Sequence, residues 1–554
     1  MIVLDEEATG KLCKRWHGPA TVVRVKSTHS YLVDMGDGRI KHVHANKMRK
    51  YNVRVQSCNV ISDCDEDFGR VLVPANVSSK ILPSSVVDND KVAHLSDDQQ
   101  KQLLQLLDEF SECFDDKPGL CDVIEHQIRV TSEFQPKRMR PYRIPEILKP
   151  EVEKQIKDLI DAGLIIKSDS PMASSLVCVA KKQGGVRLAC DYRYVNSFTI
   201  PDVYPMCTVD EMLRKVGQGH FISVFDAKSG YWQLKMSPES RWLTAFVTHE
   251  GLYEWVRMPF GLRNAGATFV RAVTHILQEL QQFTGSYVDD MAVGSGTWLC
   301  HLDHLRLFLS TIREAGLTRN LNKSEFCKPA VKLLGHIVGS GVKRADPERL
   351  TAITAMPRPS TKKEMRRLLG VLGYYRKYIP QFAHIAKPLT DATHKEAPNS
   401  IVWRDEHEQA FVELQNKMCS PPLLVFPQIG VQFVLHTDAS GLTVAAALGQ
   451  CDKDGREHPI AFASQKLSGS QLNWAIIKKE AYAIIWALNK FRDIVFGAHI
   501  VIRCDHNPLQ YIRECAPKSA KLLRWALALQ EFDVDVQYTK GSHNVVADYL
   551  SRVE

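Results

Sequence analysis

A chain of 554 residues is too long for one hydrophobic core, and with 44% apolar and 24% charged residues it is no disordered tail, so about three or four globular domains are expected. The formal charge of +8, from 71 basic and 63 acidic residues, mildly favours a polyanionic partner. The 14 cysteines form no CxxC pair and no zinc-finger spacing, which argues against a disulfide framework or structural zinc and for a reducing intracellular compartment.

Residues 1–54 carry 11 Lys/Arg against 5 Asp/Glu. Apolar alternation in TVVRV and YLVDM, broken at Gly36-Asp37-Gly38, predicts a small β-rich module with a basic surface. The opening MIVLDEEATGKLCKRW lacks a signal peptide's apolar core, and no apolar run reaches the roughly 18 residues that cross a bilayer. Neither leader nor membrane span is expected, and the Asn76-Val77-Ser78 sequon then carries no meaning. Residues 55–130 hold 6 basic and 15 acidic residues, and 55–94, with the run SDCDED, read as an acidic linker. Next, SDDQQKQLLQLLDEFSECF predicts a helix capped by Ser96, with Leu103, Leu104, Leu107 and Phe110 as its apolar stripe. The proline-punctuated PKRMRPYRIPEILKP should be extended, and EVEKQIKDLIDAGLI predicts a second amphipathic helix.

From about 175 to 340, short β-like runs alternate with helices in an α+β pattern. Asp226 ends the apolar run of FISVFDAKSGYWQL, where a carboxylate would emerge from a sheet. Asp289 and Asp290 lie 63 residues later (289 minus 226) at the expected tight turn of a hairpin, SYVDDMAV. Two adjacent acids among apolar residues repel one another and cost free energy on burial. A divalent cation removes that cost. One acid from a strand end and two from a neighbouring hairpin could converge on Mg²⁺, the donor chemistry of a two-metal phosphoryl-transfer site. By itself a DD pair is more often a solvated turn. If metal is the missing component, neutralising Asp289 or Asp290 should raise the stability of the metal-free protein.

Residues 350–395 look helical and basic, and STKKEMRRLLGVLGYYRKYI opens at a capping-box pattern from Ser360/Thr361 to Glu364. A new unit starts at about 431. VQFVLHTDAS, PIAFASQKL and HIVIRCD read as strands and about 471–492 as a long helix, an α/β alternation. This unit carries a second acid set. Asp438 and Asp505 end strands, Asp548 in NVVADYLSR would open the last helix, and Glu480 would sit at the edge of a stripe formed by Trp474, Ile477, Ala481, Ile484 and Leu488. Four acids from two strands and two helices suit a two-metal phosphodiester hydrolase.

In this order and at this spacing, SVFDAKSGYWQL, MPFGLRNAGATF and SYVDDMAV resemble the palm motifs of the reverse transcriptases of gypsy-type LTR retrotransposons. GGVRLACDYRYVN, LNKSEFC and LLGHIVG resemble that family's fingers and primer-grip segments. HTDAS, KKEAYAIIWAL, CDHNPLQYI and NVVADYLSR resemble the RNase H domain that follows the polymerase. The resemblance runs from about residue 95 to the last residue. It implies a multidomain α+β and α/β chain: right-hand-like fingers and palm over 95–342, thumb and connection over 343–430, and an RNase H-like α/β domain over 431–554.

The resemblance also implies roles. Asp226, Asp289 and Asp290 would hold two Mg²⁺ (or Mn²⁺) ions for polymerisation, and Asp438, Glu480, Asp505 and Asp548 would hold two more for hydrolysis of RNA in an RNA/DNA hybrid. Lys181 and Arg187 would fold over an incoming dNTP. Tyr231 would stack under its sugar and exclude a 2′-hydroxyl, while Phe260 and Gly261 of MPFGL would line the same pocket. The implied partners are an RNA template, a DNA or tRNA-like primer, the RNA/DNA hybrid and dNTPs. The implied location is a cytoplasmic virus-like particle or the nucleus. There are departures. LRNAGATF lacks the proline common near Gly266, and Thr539 stands before Lys540-Gly541 where retroviral RNases H carry a histidine. At the amino end, KLCKRWHGPATVVRV and SYLVDMGDGRIKHVHANKMRKY resemble the GPY/F module at the carboxyl end of gypsy-type integrases, carried by Trp16, Gly18, Pro19, His44 and Asn46. The alternative reading is a catalytically silent, nucleic-acid-binding remnant of a retroelement, against which seven intact acids argue.

Overall fold

The computed structural model describes residues 82–115, 117–180, 186–227, 230–419, 421–504 and 520–538, together with short strands between residues 2 and 49. Two compact units divide the chain. One holds Met1–Phe68, Tyr142–Val152 and Leu176–Cys190; the other holds Gly69–Pro141, Glu153–Ser175 and Asp191–Glu554.

In the first unit the alternation of TVVRV and YLVDM does form β structure. Thr21–Ser27, Ser30–Asp34 and Ile40–His44 make an antiparallel sheet with Val33 and Val43 buried, and Ile2–Leu4 pairs with Trp16–His17 and Met48–Arg49. Gly18, Pro19, Asn46 and most of the acidic linker lie outside the described residues. The same unit contains an antiparallel hairpin whose register runs from Cys190↔Leu176 to Val186↔Ala180. Its turn, 181–185, lies outside the described residues, and with it Lys181.

In the second unit two short helices, Pro83–Val86 and Asn89–Val92, precede helix Asp97–Glu109. Ser96 and Gln99 close a reciprocal capping box that satisfies amides left open at the helix start. Its buried face is Leu103, Leu106, Leu107 and Phe110, not the expected Leu104, which is half-buried. The spacing i, i+3, i+4, i+7 keeps these four on one side, whereas Leu104 is turned away by a full residue step.

A four-stranded antiparallel sheet follows, ordered Thr284–Tyr287, Asp290–Ser295, Phe221–Asp226, Glu325–Lys328. Alternation gives the Phe221 strand two apolar faces. Ile222 and Val224 pack with Ala292 on Met212, Leu213 and Val216 of helix Val209–Gly217. On the other face Phe225 meets Phe308 at 4.8 Å and Ser223 Oγ lies 2.9 Å from His301 Nε2, both on helix Trp298–Glu314. Helix packing is close enough that a Cβ on Gly294 would stand 2.6 Å from the Val216 carbonyl oxygen. A sheet covered on both faces makes a rigid platform for whatever its strand ends carry.

Beyond it, helix Lys362–Tyr374 starts at the expected capping box, formed by Thr361 and Glu364. Its Met365, Leu368 and Leu372 join Phe411, Leu414 and Met418 of helix Asp405–Cys419 in a second core. The carboxy-terminal sheet runs Glu457–Lys466, Thr443–Cys451, Phe433–Ala439, His499–Cys504, Asp533–Tyr538. Its first three strands pair antiparallel and the last two add in parallel. Helix Ile476–Lys490 covers it through Ala481, Ile484, Ala487 and Leu488. This helix starts later than expected. Trp474 therefore lies outside it, with its ring 5.6 Å from Tyr482 and 5.8 Å from Trp525.

Candidate active sites

The strand register brings the first acids together. Asp226 pairs opposite Asp290, one step beyond Phe225↔Met291, and Asp290 also faces Tyr287 across the hairpin. Opposed residues on antiparallel strands share a face, with Cα atoms about 4.5–5.5 Å apart. Asp226 and Asp290 thus stand on the face of Ile222, Val224 and Ala292, above their packed core. Asp290 begins the return strand and only Val288 and Asp289 form the turn, a tighter hairpin than the sequence suggested. Val288 adopts φ 52°, a left-handed conformation costly for a β-branched residue, and this sets Asp289 at the apex.

The apex is closely packed. A Cβ on Gly230 would stand 3.0 Å from Asp289 Oδ1 and 3.0 Å from the Phe269 ring, so a larger residue in SGYW would have to push the acid or the ring aside. Two cations missed in the sequence complete the surroundings. Lys323 Nζ lies 3.6 Å from Asp226 Oδ2, and the Asn320 amide donates to the Asp226 carbonyl oxygen at 2.9 Å. Arg319, one residue before Asn320, pairs as an isolated antiparallel bridge with Ala227 and is fully buried. TRNLNK has no periodicity that would mark either side chain as belonging to a site 90 residues earlier.

The donor set, hard carboxylate oxygens at the ends of paired strands facing protein cations, fits Mg²⁺ and not a softer ion. Among the described residues, the trio of ligand atoms lying within 4.8 Å of one another is Glu153, His249 and Glu250, an exposed surface group.

Tyr231 sits on a short 3₁₀ turn, Gly230–Gln233, with its ring 5.0 Å from Phe260 and 5.5 Å from Phe269. Phe260 also meets Trp232 edge-on at 5.7 Å. Gly261 has φ 90°, a conformation glycine tolerates, and its carbonyl oxygen accepts from Asn196 Nδ2 at 2.8 Å. These three residues therefore share one aromatic-walled corner next to the Asp289 apex. The Arg187 backbone pairs with Val179, but its side chain, like Lys181, lies outside the described residues.

In the carboxy-terminal domain, Asp438 lies near the end of its strand and the next amide, of Ala439, donates to Glu480 Oε1 at 3.1 Å. Glu480 is only 2% exposed, so it is not at the stripe's edge but inside the helix–sheet interface. The reason is that the helix is enclosed nearly all round at this level, with Lys479, Ala481, Ala483 and Ile484 also buried. Asp505 and Asp548 lie outside the described residues, as do Thr539 and His543.

Both regions are similar to known proteins. Residues 179–338 match the family described as reverse transcriptase (RNA-dependent DNA polymerase), and residues 429–532 match the RNase H-like domain found in reverse transcriptase. The chain is 36% identical over 473 residues to the retrovirus-related Pol polyprotein from transposon 297 of Drosophila melanogaster, covering 84% of this chain and 44% of that protein. The corresponding protein of transposon opus, also from Drosophila melanogaster, is 34% identical over 544 residues, covering 95% of this chain and 52% of the relative. The chain thus spans about half the length of these relatives. Among solved structures it is similar to the foamy viral protease-reverse transcriptase in complex with dsDNA, with a TM-score of 0.73, 25% identity and coverage of 84% of this chain and 99% of that one. A second structure of that enzyme, in complex with RNA/DNA hybrid, superposes with a TM-score of 0.68 at 24% identity, over 84% of this chain and 64% of that one. The fold is that of a right-hand-like polymerase followed by an RNase H-like α/β domain, as the motifs implied.

Proposed function

We propose that this chain is the reverse transcriptase and RNase H portion of a gypsy-type Pol polyprotein, copying element RNA into DNA and then hydrolysing the RNA of the hybrid. The observation that carries the proposal is the register Asp226↔Asp290 with Asp289 at the apex, joined in one chain to Asp438 and Glu480 in an RNase H-like sheet. Asp226, Asp289 and Asp290 would hold the ions of one site, and Asp438 and Glu480, with Asp505 and Asp548, those of the other. Bound divalent ions supply Lewis-acid stabilisation of a phosphoryl group and of the oxygens that attack and leave it.

The chain's own residues do the positioning. The Tyr231 face, backed by Phe260 and Phe269, limits the space beside the apex and would reject a ribose 2′-hydroxyl. Lys181 and Arg187 would neutralise the triphosphate of a dNTP. Lys323, half-exposed 3.6 Å from Asp226, is placed to follow charge changes at that acid. The buried Glu480 fixes the Asp438–Ala439 strand end through the Ala439 amide. The basic β module of residues 1–54 would add phosphate contacts as a GPY/F-like unit, and the primer would be DNA or tRNA-like. The site of action would be intracellular, in a virus-like particle or the nucleus.

The test separates the two sites. Asp290→Asn should abolish metal-dependent primer extension on an RNA template and spare cleavage of a preformed hybrid, while Glu480→Gln should do the reverse. Hybrid binding with neither activity in the unaltered protein, under conditions that support a control reverse transcriptase, would establish the silent remnant instead.

A further inference from the structure

Arg319 is a chemical anomaly. Its side chain is 1% exposed, and among the described residues none of its three guanidinium nitrogens has a hydrogen-bond partner. Such a group is among the most expensive a fold can bury, and replacing it with an apolar side chain of similar volume is often neutral or stabilising. Its backbone is held from three sides. The Arg319 amide donates to the Cys113 carbonyl oxygen at 2.7 Å, the residue bridges Ala227, and Gln233 clamps the preceding Thr318 with hydrogen bonds of 2.8 and 3.0 Å. Ala227 follows Asp226, and Gln233 ends the turn that begins with Gly230 against Asp289. The backbone that carries Arg319 is therefore tied to the segments that carry Asp226 and Asp289, and the guanidinium is buried within electrostatic reach of both acids.

We propose that Arg319 is an internal countercharge for Asp226 and Asp289, a positioning residue that lets the folded protein hold its acid cluster without metal and thereby weakens the grip of that cluster on a divalent cation. Burial pushes the Arg319 pKa down to about 10, still far above neutrality, and the charges of Asp289 and then Asp226 oppose the shift. The cation is therefore permanent. An ion entering the site is attracted by the acids and repelled by the guanidinium. Lys323 is different in kind, since it is half-exposed and can swing away. The proposal rests on the polymerase reading of Asp226, Asp289 and Asp290.

The experiment is a titration of melting temperature with MnCl₂ and MgCl₂, against a chelator control, in an Asp438→Asn background that silences the second metal site. Arg319→Met should lower the metal concentration at the midpoint by at least about fivefold and enlarge the metal-induced rise in melting temperature. Arg319→Lys, which keeps the charge, should stay within about twofold of the parent. An unchanged midpoint, with melting shifted equally in metal and in chelator, would overturn the proposal and leave Arg319 a packing residue. If Arg319→Met does not fold, Arg319→Gln replaces it. Folding of the neutral variants only in metal supports the countercharge, and failure to fold in both conditions overturns it. A parent protein that shows no metal-dependent shift would instead sink the polymerase reading itself.

Discussion

Neutralising one acid of the hairpin should have the opposite effect to neutralising its neighbour. Asp290 stands opposite Asp226, and like charges directly opposed across a ladder destabilise it. With carboxylates roughly 5 Å apart at an effective dielectric of about 20–40, the repulsion is about 2–3 kcal/mol. The Asp226 side chain is 17% exposed, so solvent screening removes only part of this. Asp290→Asn should therefore raise the melting temperature of the metal-free protein by about 2–4 °C per kcal/mol recovered. The charge of Asp289 favours the protonated form of the buried Arg319. Asp289→Asn leaves a buried guanidinium with less compensation and should lower that temperature. Scanning calorimetry in excess chelator measures both. The reasoning fails if Asp290→Asn melts at or below the unaltered protein, or if Asp289→Asn melts above Asp290→Asn. From the sequence alone both substitutions carried the same expected sign, because Arg319 was not visible there.

Two other expectations follow from packing and titration. His301 is fully buried, 2.9 Å from both Ser223 Oγ and Ser295 Oγ, and burial, reinforced by His304, pushes its pKa down to about 3. Below about pH 6.5 the unfolded chain takes up a proton that the native state refuses, so stability falls as pH drops from about 6.5 toward 3, by about 2 kcal/mol at pH 5 for this one residue. His126, pushed down to about 4 by burial, adds in the same direction. Denaturant melts at pH 7 and pH 5 test this, and His301→Gln should shrink the difference between them. Gly230→Ala should cut primer extension at least about tenfold while leaving hybrid cleavage intact, because the new Cβ would press on Asp289 Oδ1 and the Phe269 ring, both 3.0 Å away. Equal loss of both activities in the gel assays would mean that the substitution unfolds the chain and that the apex packing has no local role.

Local chemistry was legible from residue order. The capping boxes at Ser96 and Thr361 were readable because each involves residues three apart, and the Phe221 strand and the hairpin after it were readable from alternation that ends in acids. The seven acids were singled out because their neighbours form long, specific motifs, and five of them fall among the described residues. Depth was less legible. Glu480 proved to be inside an interface and Leu106, not Leu104, faced inward, since burial depends on what packs against a helix as well as on its own period.

Which carboxylates the fold sets opposite one another, and which cations it sets beneath them, was decided only by tertiary structure. Asp226 meets Asp290 because two strands separated by more than 60 residues pair in one particular register, and a slip of one residue would turn Asp290 to the opposite face. Lys323 reaches Asp226, and Arg319 is buried within electrostatic reach of Asp226 and Asp289, through a further segment pinned by Gln233 and Ala227. By itself the sequence determined which residues offer carboxylate oxygens, the donor chemistry a divalent ion needs, since that is a property of the side chain. The balance of charge around them is a property of distance, and distance between remote segments exists only once the chain has folded.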